Sequence, residues 1–254
     1  MIIVRTVPLL ASLFLLAGLV GCKKEVETVY VNTANIPDTT GQVLYLPFTG
    51  NAIDSSNYKN TAQVFGVTPT TDRFNRGDRA YYFNGTNAYI TLPYSNALDL
   101  KVSFSLCCWI KPDGYPNDIR GIIWHGDAAS GKDPYVLYYK NTGSGVTLSA
   151  RKDVLDGLTY NELFLPNNTF FSGTWNHVVA TYNGATHTFR FYINGELLST
   201  TNYTTSQINY PTNNFWTTIG GIEVNNALFK GKLDDVRIFN RDISAAEVKT
   251  IFQH

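Results

Sequence analysis

Two aspartates stand side by side near the C-terminus, Asp234 and Asp235 in "GKLDDVRIFNRDIS". Neighbouring carboxylates could form a catalytic acid pair, hold a cation, or be charges beside a turn. Retaining glycoside hydrolysis needs two carboxyl groups about 5–5.5 Å apart on one face of a cleft. Consecutive residues of a regular strand point to opposite faces, so the pair is a poor acid pair. The acids in "NELF", "NGEL" and "GIEV" stand alone. His125 and His177 are isolated, His187 falls in a hairpin and His254 is terminal. Their spacing makes neither a zinc set nor a Ser-His-Asp arrangement.

The loop "GNAIDSSNYKN" gathers Asn51, Asp54, Ser55, Asn57 and Asn60. Oxygen-rich irregular backbone suits calcium, which takes six to eight oxygen ligands. Asp54 could equally anchor an Asx turn, and Asp234 could accept hydrogen bonds at a bulge or turn. Asp235 reads as a solvated charge or a partner of Arg237.

The aromatic residues offer a third chemistry. Sugar rings stack their apolar faces on aromatic side chains, with polar groups fixing the hydroxyls. Trp124, in "GIIWHGDAASGKDPYVLYY", stands at a strand end before a polar loop, and Trp216 follows Tyr210 and Phe215 in "NYPTNNFWTTIGG". Taken singly, each reads more readily as packing than as a platform, because large aromatics usually bury. A ligand surface, if present, lies around Trp124, Tyr138, Arg151 and Trp216.

The elements that would carry these residues are strands. Period-two segments such as "QVLYLPF", "VSFSLCCWIKP", "YVLYYK", "WNHVVATY" and "HTFRFYING" alternate with Gly, Asn, Asp or Pro, the pattern of a sandwich or barrel. In "VSFSLCCWI", Val102, Phe104, Leu106, Cys108 and Ile110 share a core face. The other face carries Trp109, so it is not simply wet. Cys107 and Cys108 read as small apolar residues, because adjacent cysteines bridge only with a distorted backbone. Asn-Gly pairs at Asn183-Gly184 and Asn194-Gly195 predict tight turns. One helix is evident, "SAAEVKTIF", with a Ser244/Glu247 capping box and an apolar stripe of Val248, Ile251 and Phe252.

Residues 1–21 read as a secretory signal: Arg5, an apolar run from Val7 to Val20, then Gly21 before Cys22. The run is too short for a spanning helix. Its end resembles a bacterial lipobox, which makes Cys22 the lipidated N-terminus, followed by a tether over 22–40 and one domain over 41–254. Lys23, in place of an inner-membrane Asp, points to the outer membrane, lipid-anchored, with exposure at the cell surface open to it. Lys plus Arg and Asp plus Glu balance at 20 each, which argues against nucleic acid, whose phosphates need a basic face.

Five segments in order resemble the laminin G-like, concanavalin A-like lectin/glucanase superfamily: "LYLPFTGNAIDSSNYKN", "AYYFNGTNAYITLP", "FSLCCWIKP", "GTWNHVVATYNG…FRFYINGEL" and "IGG…FKGKLDDVRIFNRDISAAEV". The resemblance implies an all-β jelly-roll sandwich of two antiparallel sheets with a short C-terminal helix. It also implies a structural calcium near Asp54 and Asp234. The Glu-x-Asp-x-x-Glu strand of the family's glucanases does not occur here. The reading is a monomeric, non-catalytic module holding a polysaccharide or glycan on a surface or glycoprotein, touching the membrane only through its lipid anchor. The alternatives are a glycoside hydrolase with an atypical site and a lipoprotein that binds another protein.

Overall fold

The computed structural model describes residues 37–114, 118–127, 132–141, 146–153, 160–165, 172–204, 208, 215–221 and 227–254. Cys22, the signal segment, the tether up to residue 36 and Tyr210 lie outside the described residues.

Strands follow one another along the chain. They are β1 (Gln42–Leu46), β2 (Gln63–Phe65), β3 (Thr68–Thr70), β4 (Ala80–Asn84), β5 (Tyr89–Leu92), β6 (Phe104–Pro112), β7 (Asp118–Asp127) and β8 (Lys132–Asn141). Then come β9 (Val146–Asp153), β10 (Tyr160–Leu165), β11 (Asn176–Asn183), β12 (Thr188–Ile193), β13 (Glu196–Asn202), β14 (Thr217–Ile219) and β15 (Lys230–Phe239). Helix α1 (Ala245–Gln253) closes the chain.

They form two antiparallel sheets. One has eight strands in the order β13-β12-β11-β6-β15-β4-β3, with β1 also on β15; the other has seven, in the order β10-β9-β8-β7-β14-β5-β2. The expected sandwich is therefore the observed fold. Its core lies between the sheets, where Phe104, Leu106, Cys108 and Ile110 of β6 meet Tyr135, Leu137 and Tyr139 of β8. Val102 falls before β6 and is exposed, so the core face begins at Phe104.

The other face of β6 is covered by α1. Cys107, Val179, Tyr192, Phe239, Ile243, Val248 and Ile251 form a second buried cluster. Phe252 stacks on Trp109 with centroids 5.5 Å apart. The capping box is formed: Ser244 accepts from Glu247 N, and the Glu247 side chain accepts from Ser244 N. Both Asn-Gly pairs make turns, by different means. Asn194 and Gly195 both take positive φ, the geometry of a two-residue hairpin. Asn183 instead accepts from Ala185 N and Thr186 N, spreading the turn over four residues.

Candidate functional site

The adjacent aspartates do not diverge. Strand β15 changes neighbour at this point: Lys230–Leu233 pair with β4, and Val236–Phe239 pair with β1. The register against β6 shifts between Asp234 and Arg237, and Asp235 takes φ 48°. The bulge aims both carboxylates at Arg73, whose Nη1 lies 2.8 Å from Asp234 and 2.9 Å from Asp235. Asp235 also accepts from Tyr45 Oη at 2.8 Å and lies 3.6 Å from Arg237. Arg73 in turn sits over the Trp109 ring at 4.6 Å. Asp235 is thus no solvated charge, although its pairing with Arg237 is as expected. Burial, reinforced by Asp235 and opposed by Arg73, pushes Asp234 up to about 7.

Calcium ligation by Asp54 and Asp234 does not fit these surroundings. Asp54 Oδ1 accepts from Tyr45 N and Ser56 N, and Oδ2 accepts from Ser56 Oγ, Asn60 N and Asn60 Nδ2, all within 2.7–2.9 Å. A carboxylate offers about four lone-pair positions, so these hydrogens fill the places a cation would need. At Asp234 one oxygen meets the Arg73 guanidinium and the other accepts from Asp235 N. Asp54 is therefore a hydrogen-bond hub that ties its loop to β1, and the turn reading holds at both positions.

The outer face of the seven-stranded sheet gathers the aromatic candidates. Register places Thr218, Trp124, Val136, Arg151 and Glu162 in one row across β14, β7, β8, β9 and β10. Trp124 Nε1 donates to Asp133 Oδ1 at 2.8 Å. The Arg151 guanidinium pairs with Asp133, and its Nε lies 3.4 Å from Asp153. Tyr138 Oη donates to Glu162. Arg151 lies over the Tyr160 ring at 4.9 Å. Burial pushes Asp133 above the usual carboxylate range, against the pull of Arg151, and lifts Asp153 to about 6.

The expected platform is corrected in part. Trp124 and Tyr138 are only 6% exposed, so they are packing residues whose polar ends are satisfied by Asp133 and Glu162. Trp216 is 48% exposed. Thr217 points inward, its hydroxyl 2.8 Å from buried His125 Nδ1, so alternation puts Trp216 on the Trp124 side. The sequence reading missed Tyr160, 54% exposed, and the acids Asp133, Asp153 and Glu162. Strand alternation in "YNELFL" carried the signal, since Tyr160, Glu162 and Phe164 share a face while Leu163 and Leu165 are buried.

A family model described as the concanavalin A-like lectin/glucanases superfamily matches residues 84–249. No curated protein matches the sequence significantly. Among solved structures, the binding domain of Paraclostridial Mosquitocidal Protein 1 superposes with a TM-score of 0.67 at 18% identity, over 84% of this chain and 52% of that one. The binding domain of botulinum neurotoxin DC in complex with rat synaptotagmin II gives 0.65 at 14% identity, over 85% and 52%. The botulinum neurotoxin serotype D ligand binding domain in complex with N-acetylneuraminic acid gives 0.64 at 17% identity, over 87% and 52%. The chain spans about half the length of these structures, and at such identities the likeness is one of fold. With two sheets in this order and the family match across most of them, the chain belongs to the concanavalin A-like lectin/glucanase superfamily.

Proposed function

We propose that the protein is a binding module that holds a glycan without cleaving it. The observation that carries this reading is the pairing of exposed rings, Trp216 and Tyr160, with a fixed polar network of Asp133, Arg151, Asp153 and Glu162 on one sheet face. Exposed rings can stack on sugar, and the network supplies oriented acceptors. Asp133 and Glu162 each hold a side-chain donor and Asp153 holds a backbone N–H, a state that suits binding better than proton transfer. One structural neighbour holds N-acetylneuraminic acid, which supports a glycan ligand, and another holds a protein, which supports a binding module more generally.

The proposal extends to placement. Lipidation at Cys22 anchors the module at the outer membrane through a tether. Many anchored copies then convert weak single contacts into avid capture of a polymer. A glycan array with the full chain, read against Trp216→Ala and Tyr160→Ala, is the test. Binding lost in these variants without sugar release supports the reading. Sugar release, or capture of an envelope protein with no glycan bound, sinks it.

A further inference from the structure

The charges around the exposed rings say which glycans this face can take. Three carboxylates, Asp133, Asp153 and Glu162, converge on the single guanidinium of Arg151 or lie beside it in the register. That guanidinium is already committed, paired to Asp133, near Asp153 and laid over Tyr160. The next residue, Lys152, turns the other way, its Nζ 4.6 Å from the Tyr182 ring inside the sandwich. On β7 and β8, Asp127 and Lys132 stand opposite each other in register, one charge of each sign. Arg120 donates to the carbonyl of Ile119, and Lys140 stands at the far end of β8. Among the described residues of this region the carboxylates Asp127, Asp133, Asp153 and Glu162 outnumber the cations Arg151 and Lys132, so the balance that meets an acidic sugar is negative.

We propose, building on the glycan-binding reading, that the ligand is an uncharged or amino-bearing glycan and that sialylated or uronic glycans are repelled. An incoming carboxylate would face an excess of negative charge in a partly desolvated setting, where like charges repel more strongly than in water. Hydroxyl or ammonium donors, by contrast, meet acceptors already fixed in place. The N-acetylneuraminic acid held by the serotype D neighbour is anionic, so on this proposal the shared fold does not by itself set the charge of the ligand.

The test is an array of neutral, amino and anionic glycans probed with the full chain in detergent, followed by calorimetry on one hit of each class. Expected are hits confined to neutral and amino glycans, with anionic ones at least about tenfold weaker. That gap should narrow in Glu162→Gln and with added salt, as a charge effect must. A sialylated or uronic glycan bound as tightly as any neutral one overturns this proposal and leaves the binding reading standing. A gap indifferent to both salt and Glu162→Gln also overturns it. Binding of no glycan at all fails the binding reading itself, and this inference with it.

Discussion

Trp124 donates its indole N–H to Asp133 at 2.8 Å, and through that bond a tryptophan on an outer sheet face belongs to the protein's own packing. Its ring neighbours are Tyr138, at 6.4 Å between centroids, and the Arg151 guanidinium, at 6.0 Å. Two tryptophans on one face therefore have separable roles.

Replacing Trp124 by Ala should cost about 3–5 kcal/mol, the range for deleting a buried aromatic, with Asp133 losing a donor in addition. Replacing Trp216 by Ala should change stability by no more than about 0.5 kcal/mol, as exposed substitutions do. Urea denaturation of the two variants reads the difference. Equal losses would mean that Trp216 is packed as tightly as Trp124.

The Asp54 hub predicts a stability effect without metal. Asp54→Ala strands donors from Tyr45, Ser56 and Asn60 and should cost about 3 kcal/mol. Adding a chelator to the native protein should leave its melting temperature unchanged. A fall on chelation, abolished in Asp54→Ala, would restore the calcium reading.

Arg73 neutralises two carboxylates that have little access to water. Arg73→Met should cost about 3–5 kcal/mol, because it leaves buried charge unpaired. Adding Asp234→Asn and Asp235→Asn to that variant should recover much of the loss. No recovery would show that the arginine acts through its packing on Trp109 alone.

His177 sets an acid limit. Burial, helped by the positive charge of Arg237, lowers it from 6.5 to about 3. The folded state therefore keeps it neutral. The stability this contributes is complete above about pH 6.5 and is lost as pH falls toward 3, where the unfolded chain binds the proton first. Asp234 slopes the other way: raised from 3.8 to about 7, it favours the fold most below 3.8 and loses that contribution as pH rises through 7. Measured from pH 3 to 6.5, His177→Gln should flatten the rise in stability. Over pH 3.8 to 7, Asp234→Asn should gain on the wild type. Parallel curves would deny both groups their roles.

Much of the fold was legible because alternation is local. "VSFSLCCWI" showed a core face and a second face too apolar to be wet, and α1 covers that second face. The helix start was equally local, written in Ser244 and Glu247. The acid pair was not legible. Whether Asp234 and Asp235 diverge depends on where β15 exchanges β4 for β1, and on Arg73, which is 161 positions from Asp234. Trp124 read as packing when taken singly, but its polar partner was not legible for the same reason. Its Asp133 is near in sequence, but the bond requires β7 and β8 to pair across a bulge.

The start of the described chain is fastened at several points to the segment before the helix. Arg241 donates to Thr40 O at 2.7 Å and pairs with Asp38 at 3.3 Å, Asn240 N donates to Gly41 O, and β1 then runs antiparallel along β15. Tension applied through the residues before Pro37 therefore enters at β1. Ladder hydrogen bonds lie across the strands, so a pull along β1 loads the β1–β15 rungs in shear, all together, where a pull across it would peel them singly. Arg241 stands ahead of those rungs as the first contact to yield. Under the proposed anchoring and capture, drag on a polymer held by the seven-stranded sheet would reach β1 through the packed core and the strand crossovers, and this clasp would act as the mechanical fuse at the tethered end.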